Sequence, residues 1–207
     1  MVDESFDLLG VSVHYLATQF LQEVEDDDRI TVSARDAVIY DLEDTRSTTP
    51  GLIRRRGKNV LCPITNKMGA AYVHCLSRVD DVGPSTHMLS YTWGYRVGDI
   101  VDTLQTYCKY KELDPRRTYF WICCLCNNQH RVHEALASDT PVSTETFLDV
   151  FKAKVLKIGN MVSMLDLWDN PFYLKRAWCV FEIYTAVQHK VHVDIELPPR
   201  QKKKMID

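Results

Sequence analysis

The sequence predicts an α/β protein, a flavodoxin-like parallel sheet with helices on both faces, preceded by a mainly helical N-terminal extension. Three observations predict it. From His87 onward, short apolar runs alternate with helical stripes, as βαβ units do. One of those runs, Tyr119–Cys126, is almost continuously apolar, as a strand buried on both faces would be. Before residue 84 the pattern is different, with apolar residues at three- and four-residue steps.

The elements follow in chain order. Phe6, Leu9, Val13, Leu16, Phe20 and Val24 recur with a helical period. Ile30–Leu42 reads as a second helix, with its β-branched residues leaving a strand open. The polar stretch Asp44–Gly51 marks a linker. Val60–Cys62 and Ala70–Leu76 are apolar pieces too short to assign, and Gly83-Pro84-Ser85 reads as a break. His87–Thr92 is a strand, and Ile100, Leu104, Tyr107 and Cys108 form a helical stripe. Tyr119–Cys126 is the next strand and Phe147–Ile158 the next helix. Met161–Leu167 (strand), Phe172–His189 (helix) and Val191–Leu197 (strand) complete the series. This divides the chain into an extension, residues 1–84, and an α/β unit, residues 85–207. Right-handed crossovers place helices on both faces. A flavodoxin-like order puts a ligand at the carboxyl ends of the first and third strands.

Composition narrows the function classes. Of 207 residues, 45% are hydrophobic and 10% aromatic, which excludes disorder as the dominant state. The net charge of −3 gives no electrostatic footprint for nucleic acid. No apolar run reaches membrane-helix length, and no basic region precedes an apolar core at the start, so a cytoplasmic location is expected. Seven cysteines suit reduced thiols there. The acidic run Glu23–Arg29 and the basic residues Arg54, Arg55, Arg56 and Lys58 read as solvated surface. Cys123, Cys124 and Cys126, followed by His130 and His133, fit no zinc spacing and read as inert strand thiols.

The sharpest signal is Glu182, the only carboxylate in the apolar run Ala177–Val187. A carboxylate among apolar neighbours loses solvation and is held more protonated. Trp178 stands one turn earlier on the same face. A carboxylate beside an indole suits a ligand made of a sugar and a base. The other reading, equally open from the residues, is that Glu182 pairs with Arg176 or Lys175 or faces solvent. The run Ser90-Tyr91-Thr92-Trp93-Gly94-Tyr95 ends a strand with hydroxyls and aromatics, either a ligand rim or an ordinary turn with core aromatics. No G-x-G-x-x-G or Walker A pattern is present.

Leu89-Ser90-Tyr91 closing a first strand, the parallel α/β run, and Arg176-Ala177-Trp178-Cys179-Val180-Phe181-Glu182-Ile183 together resemble the Toll/interleukin receptor (TIR) domain family. The match covers about residues 87–197. The resemblance implies cleavage of the nicotinamide–ribose bond of NAD, with NAD as substrate and no resident cofactor or metal. It implies Glu182 as the catalytic carboxylate. Ser90, Tyr91, Trp93, Asn127, Trp168 and Trp178 become the substrate-binding candidates. It also implies a homo-oligomer, with Asn128–Ser143 in the place of the assembly loop, and a fifth strand and last helix beyond the four strands read here. A non-catalytic self-association module is the alternative function.

Overall fold

The computed structural model describes residues 4–138 and 144–206. Residues 139–143 of the expected assembly loop lie outside them. A six-stranded mixed sheet organises the protein, in the order β2-β1-β4-β3-β5-β6. Its strands are β1 (Leu9–Ser12), β2 (Val82–Pro84), β3 (His87–Ser90), β4 (Tyr119–Ile122), β5 (Asn160–Met164) and β6 (His192–Glu196). β4, β3, β5 and β6 are parallel neighbours, while β1 lies antiparallel to both β2 and β4.

The segment expected to be mainly helical thus supplies two strands. A single helix over residues 6–24 is not formed. A 3-10 turn, Glu4–Leu8, leads into β1, and only then do α1 (Val13–Tyr15), a π segment Leu16–Phe20 and α2 (Leu21–Glu25) follow as one helical stretch. The Ser12 hydroxyl makes the switch: it accepts from the Tyr15 N–H at 2.9 Å and caps the helix where the strand stops. Gly10 lies against the backbone of Phe120, where a Cβ would come within 2.8 Å. Apolar spacing of three and four residues fits both arrangements, so the sequence pattern does not separate them.

Ile30–Leu42 is likewise not one helix. Only α3 (Ile39–Leu42) forms. Ser33 and Asp36 close a local turn through their side chains, with Ser33 Oγ donating to Asp36 Oδ2 at 2.8 Å, and this competes with helix formation. The run Arg54–Lys58 is a helix end, solvated as expected at Arg56 and Lys58 but not at Arg54. It sits in and beside α4 (Leu52–Gly57), with Arg54 buried against Glu43. Arg55 pairs with Asp27, and Arg56 lies 3.6 Å from Glu23. The acidic and basic runs meet, so each neutralises the other. The polar stretch 44–51 wraps the Arg54 guanidinium, which donates to the carbonyls of Asp44 and Ser47, both at 2.8 Å.

Beyond β3 come α5 (Val97–Tyr110), β4, α6 (Cys123–Cys126), α7 (Gln129–Ala137), α8 (Thr144–Ile158), β5, α9 (Ala177–Gln188), β6 and α10 (Pro199–Ile206). Alternation along the strands sorts the core onto two faces. Leu89, Phe120, Ile122, Val162 and Met164 face α1, α2 and α5. Met88, Trp121 and Met161 face α8 and α9, against Phe151, Val155 and Ala186. Arg200 of α10 holds Asp99 of α5 at 2.8 Å. Among the described residues, no helix is long and apolar enough to cross a membrane.

Candidate functional site

The apolar run after residue 119 stops being a strand at Ile122. Cys123–Cys126 form one helical turn, α6, so the thiols do not alternate across a sheet as expected. Gln129 fastens this turn, its side-chain amide donating to the carbonyl of Cys123 at 3.0 Å. Burial pushes the thiols of Cys123, Cys124 and Cys126 up, that of Cys126 to about 12, away from the thiolate that a metal or a nucleophilic role needs. The two histidines downstream serve as pins. His130 Nε2 donates to the Arg54 carbonyl at 2.9 Å, and His133 Nδ1 to the Thr45 carbonyl at 2.7 Å.

The turn of the chain at α6 opens a cavity of about 280 Å³ at the carboxyl end of the parallel strands. Its walls are indole and phenyl faces, from Trp93, Trp121, Trp178 and Phe151, with Glu182 among them. Such a mix of apolar wall and few polar groups is the usual make-up of a small-ligand site.

Glu182 lies in the middle of α9, whose residues Ala177–Gln188 have no proline or glycine to interrupt them. α9 packs against α8 and the sheet, so the carboxylate is carried inward and is only 7% exposed. Ser90, the last residue of β3, hydrogen-bonds Glu182 Oε2 through its hydroxyl. The Trp178 indole, one turn earlier, is its second hydrogen-bond partner. Desolvation raises the Glu182 carboxyl to about 7; the Ser90 and Trp178 hydrogen bonds and the Arg176 charge oppose this and do not cancel it. Pairing with Lys175 and exposure on the helix edge, both open from sequence, are not what the geometry contains.

The other expected site residues divide. Tyr91, Trp93, Asn127 and Trp178 line the cavity with Glu182. Trp93 donates its indole N–H to Cys123 Sγ at 3.4 Å and packs on Tyr40, ring centroids 5.7 Å apart. Tyr91 is buried, with its hydroxyl accepting from the Cys123 thiol at 3.7 Å. Asn127 caps the end of α6. Ser90 is not on the wall but behind it, buried and bonded to Glu182. Trp168 is 48% exposed and stands apart from the cavity wall.

Of three further site residues, Lys154 and Tyr173 carry no signal in the sequence, and Arg176 stands there only as a possible partner of Glu182. Arg176, the N-cap of α9, lines the cavity with an exposed side chain. Lys154 lines it from α8, held by Asp7 and lying 5.6 Å from the centroid of the Trp121 ring. Tyr173, in a 3-10 turn Phe172–Lys175, is fully buried and bonds the Ser90 hydroxyl. The helical stripe over 172–189 places it in the same helix as Glu182, whereas the chain breaks at Arg176. Among the described residues, no group of three histidine, cysteine or acidic side chains converges as a metal site.

Comparisons of the chain with protein-family models, with curated proteins and with solved structures each find no match.

Proposed function

We propose that the chain is a NAD glycohydrolase of TIR type, with Glu182 as the catalytic carboxylate. The observation that carries the reading is a buried carboxylate, with its carboxyl near 7, on the wall of an indole-lined cavity at the carboxyl ends of parallel strands. The parallel strands run β4-β3-β5-β6, the second, first, third and fourth of the parallel series. That order supports a flavodoxin-like sheet, and the cavity is lined from the ends of β3 and β4 and from α8 and α9.

The chemistry follows from the carboxylate. Breaking the bond between ribose C1′ and the pyridinium nitrogen sends the electron pair to nitrogen and releases neutral nicotinamide. Positive charge is left on C1′ and the ring oxygen. A carboxylate in a dry site stabilises that oxocarbenium character. Water then adds at C1′ and loses a proton, giving ADP-ribose; attack by an adenine nitrogen gives a cyclic product. Trp93 and Trp178 offer faces for the pyridine ring. Arg176 is the exposed cation on the cavity wall and suits the pyrophosphate.

Because the working form is the anion, turnover should rise with pH through about 7. Incubating concentrated protein with NAD and quantifying nicotinamide by chromatography tests the reading. Glu182→Gln should lower the rate at least about 100-fold with an unchanged circular dichroism spectrum. Equal rates in the wild type and the variant would overturn it.

A second reading, a self-associating module without catalysis, is favoured by one surface. Val180, Tyr184 and Val187 recur on one stripe of α9 and are all exposed. If the protein releases no nicotinamide at any concentration and Tyr184→Lys disperses its oligomers in sedimentation, this reading replaces the first.

A further inference from the structure

The polar contacts of Glu182 do not end at Ser90. The Ser90 hydroxyl is shared between Glu182 Oε2 and the Tyr173 hydroxyl, and Tyr173 Oη in turn lies 3.3 Å from Ser163 Oγ. All four side chains are buried. Ser90 and Ser163 are register partners across β3 and β5, so the phenol is inserted between the ends of these two strands.

Each hydroxyl has one proton, and an ionised carboxylate has none. When Glu182 is charged, the Ser90 proton must point at it. Ser90 can then only accept from Tyr173, so the single phenol proton, otherwise directed at Ser163 Oγ, must turn to Ser90. When Glu182 is protonated, its own O–H can donate to Ser90, and the donors can reverse. Hydrogen bonds in such a row polarise one another.

We propose that Tyr173 and Ser90 form a hydroxyl chain whose donors point towards ionised Glu182, with Tyr173 as the positioning residue that turns its proton from Ser163 to Ser90 and so fixes the Ser90 proton on the carboxylate without touching substrate. The chain rests on the glycohydrolase reading for its effect on turnover, but not for its geometry. The titratable side chains coupled to Glu182 are Arg176 and Cys179 around its own helix, Cys123 of α6, and Tyr173. Burial raises the two thiols and the phenol, which leaves Arg176 as the charged group among them near neutral pH; Lys154 of α8 lines the same cavity but is held by Asp7. The hydroxyl row and the Trp178 indole are therefore the other means of favouring the anion.

A donor to the charged form holds a carboxyl down, so removing it should move the titration midpoint of Glu182 up. The midpoint is read without substrate, by carbon-13 NMR of labelled glutamate, in the wild type and in Ser90→Ala, Tyr173→Phe and Ser163→Ala. Ser90→Ala should shift it by about one pH unit and Tyr173→Phe by less, whereas Ser163→Ala, which removes the competing acceptor of the Tyr173 proton, should not raise it. Ser90→Thr should restore it. A folded Tyr173→Phe that titrates as the wild type does would overturn the chain. Should Tyr173→Phe not fold, a Ser163→Ala midpoint raised above that of the wild type would overturn it instead. Nicotinamide release is measured in parallel. A shifted midpoint in a protein that never cleaves NAD keeps the chain and removes the glycohydrolase; cleavage with an unshifted midpoint does the reverse.

Discussion

Two of the buried glutamates, Glu43 and Glu182, are held under different terms. Glu43 is 1% exposed and fully engaged. Arg54 Nε donates to it at 2.8 Å, and the backbone N–H of Arg54 at 2.7 Å. Glu182 is 7% exposed, faces a cavity, and has a hydroxyl and an indole where Glu43 has a guanidinium. The first arrangement stabilises a fixed charge and fastens residues 43–54. The second leaves a carboxyl able to gain or lose its proton near neutral pH. Burial alone does not raise a carboxyl towards neutral pH; burial without a contacting cation does.

The largest expected effect tests the fixed pair. Arg54→Met should cost about 3–5 kcal/mol of stability in urea unfolding, because it strands Glu43 without its partner. A loss well under that would mean the loop repacks and the contrast is overstated. The next effect tests the mobile proton. The Glu182 carboxyl is at about 7 when folded against an ordinary value of 4.5, so between those values the folded state holds more protons than the unfolded state. Stability should therefore fall as pH rises through that window, by on the order of 3 kcal/mol, and level off above it. Glu182→Gln should flatten this slope, measured as the urea midpoint against pH; an unchanged slope would assign it to other groups. A smaller effect is expected at the cavity mouth, where Arg176→Ala should raise KM for NAD about tenfold with kcat kept. The smallest is none: Trp168→Ala should leave both constants as they are, since the ring lies off the cavity wall.

The chain from His87 onward was largely legible because β3, β4 and β5 bury both faces and its helices carry clear stripes. Glu182 was legible for the same reason, as a lone charge in an apolar run. Its supporting residues were not. Tyr173 is one aromatic among many, and only the tertiary arrangement puts its hydroxyl beside Ser90. Residues 4–84 misled because Gly10 and Ser12, which decide between strand and helix, act through contact with β4 and through a cap. The pairing of the two charge runs was not legible because residues 23–27 and 54–56 are distant in sequence and adjacent in space.

β1 has a consequence for dissecting the protein. It covers the outer edge of β4, while β2 in turn covers β1. A fragment beginning at residue 85 would expose the unpaired backbone of a strand carrying Tyr119, Phe120, Trp121 and Ile122, a template for joining further copies edge to edge. It would also lose the carbonyls of Thr45 and Arg54 that anchor α7, and α7 carries Gln129 and Val132 on the cavity wall. Oligomers formed by such a fragment would report a torn sheet rather than a native assembly, and inactivity in it would say nothing about Glu182.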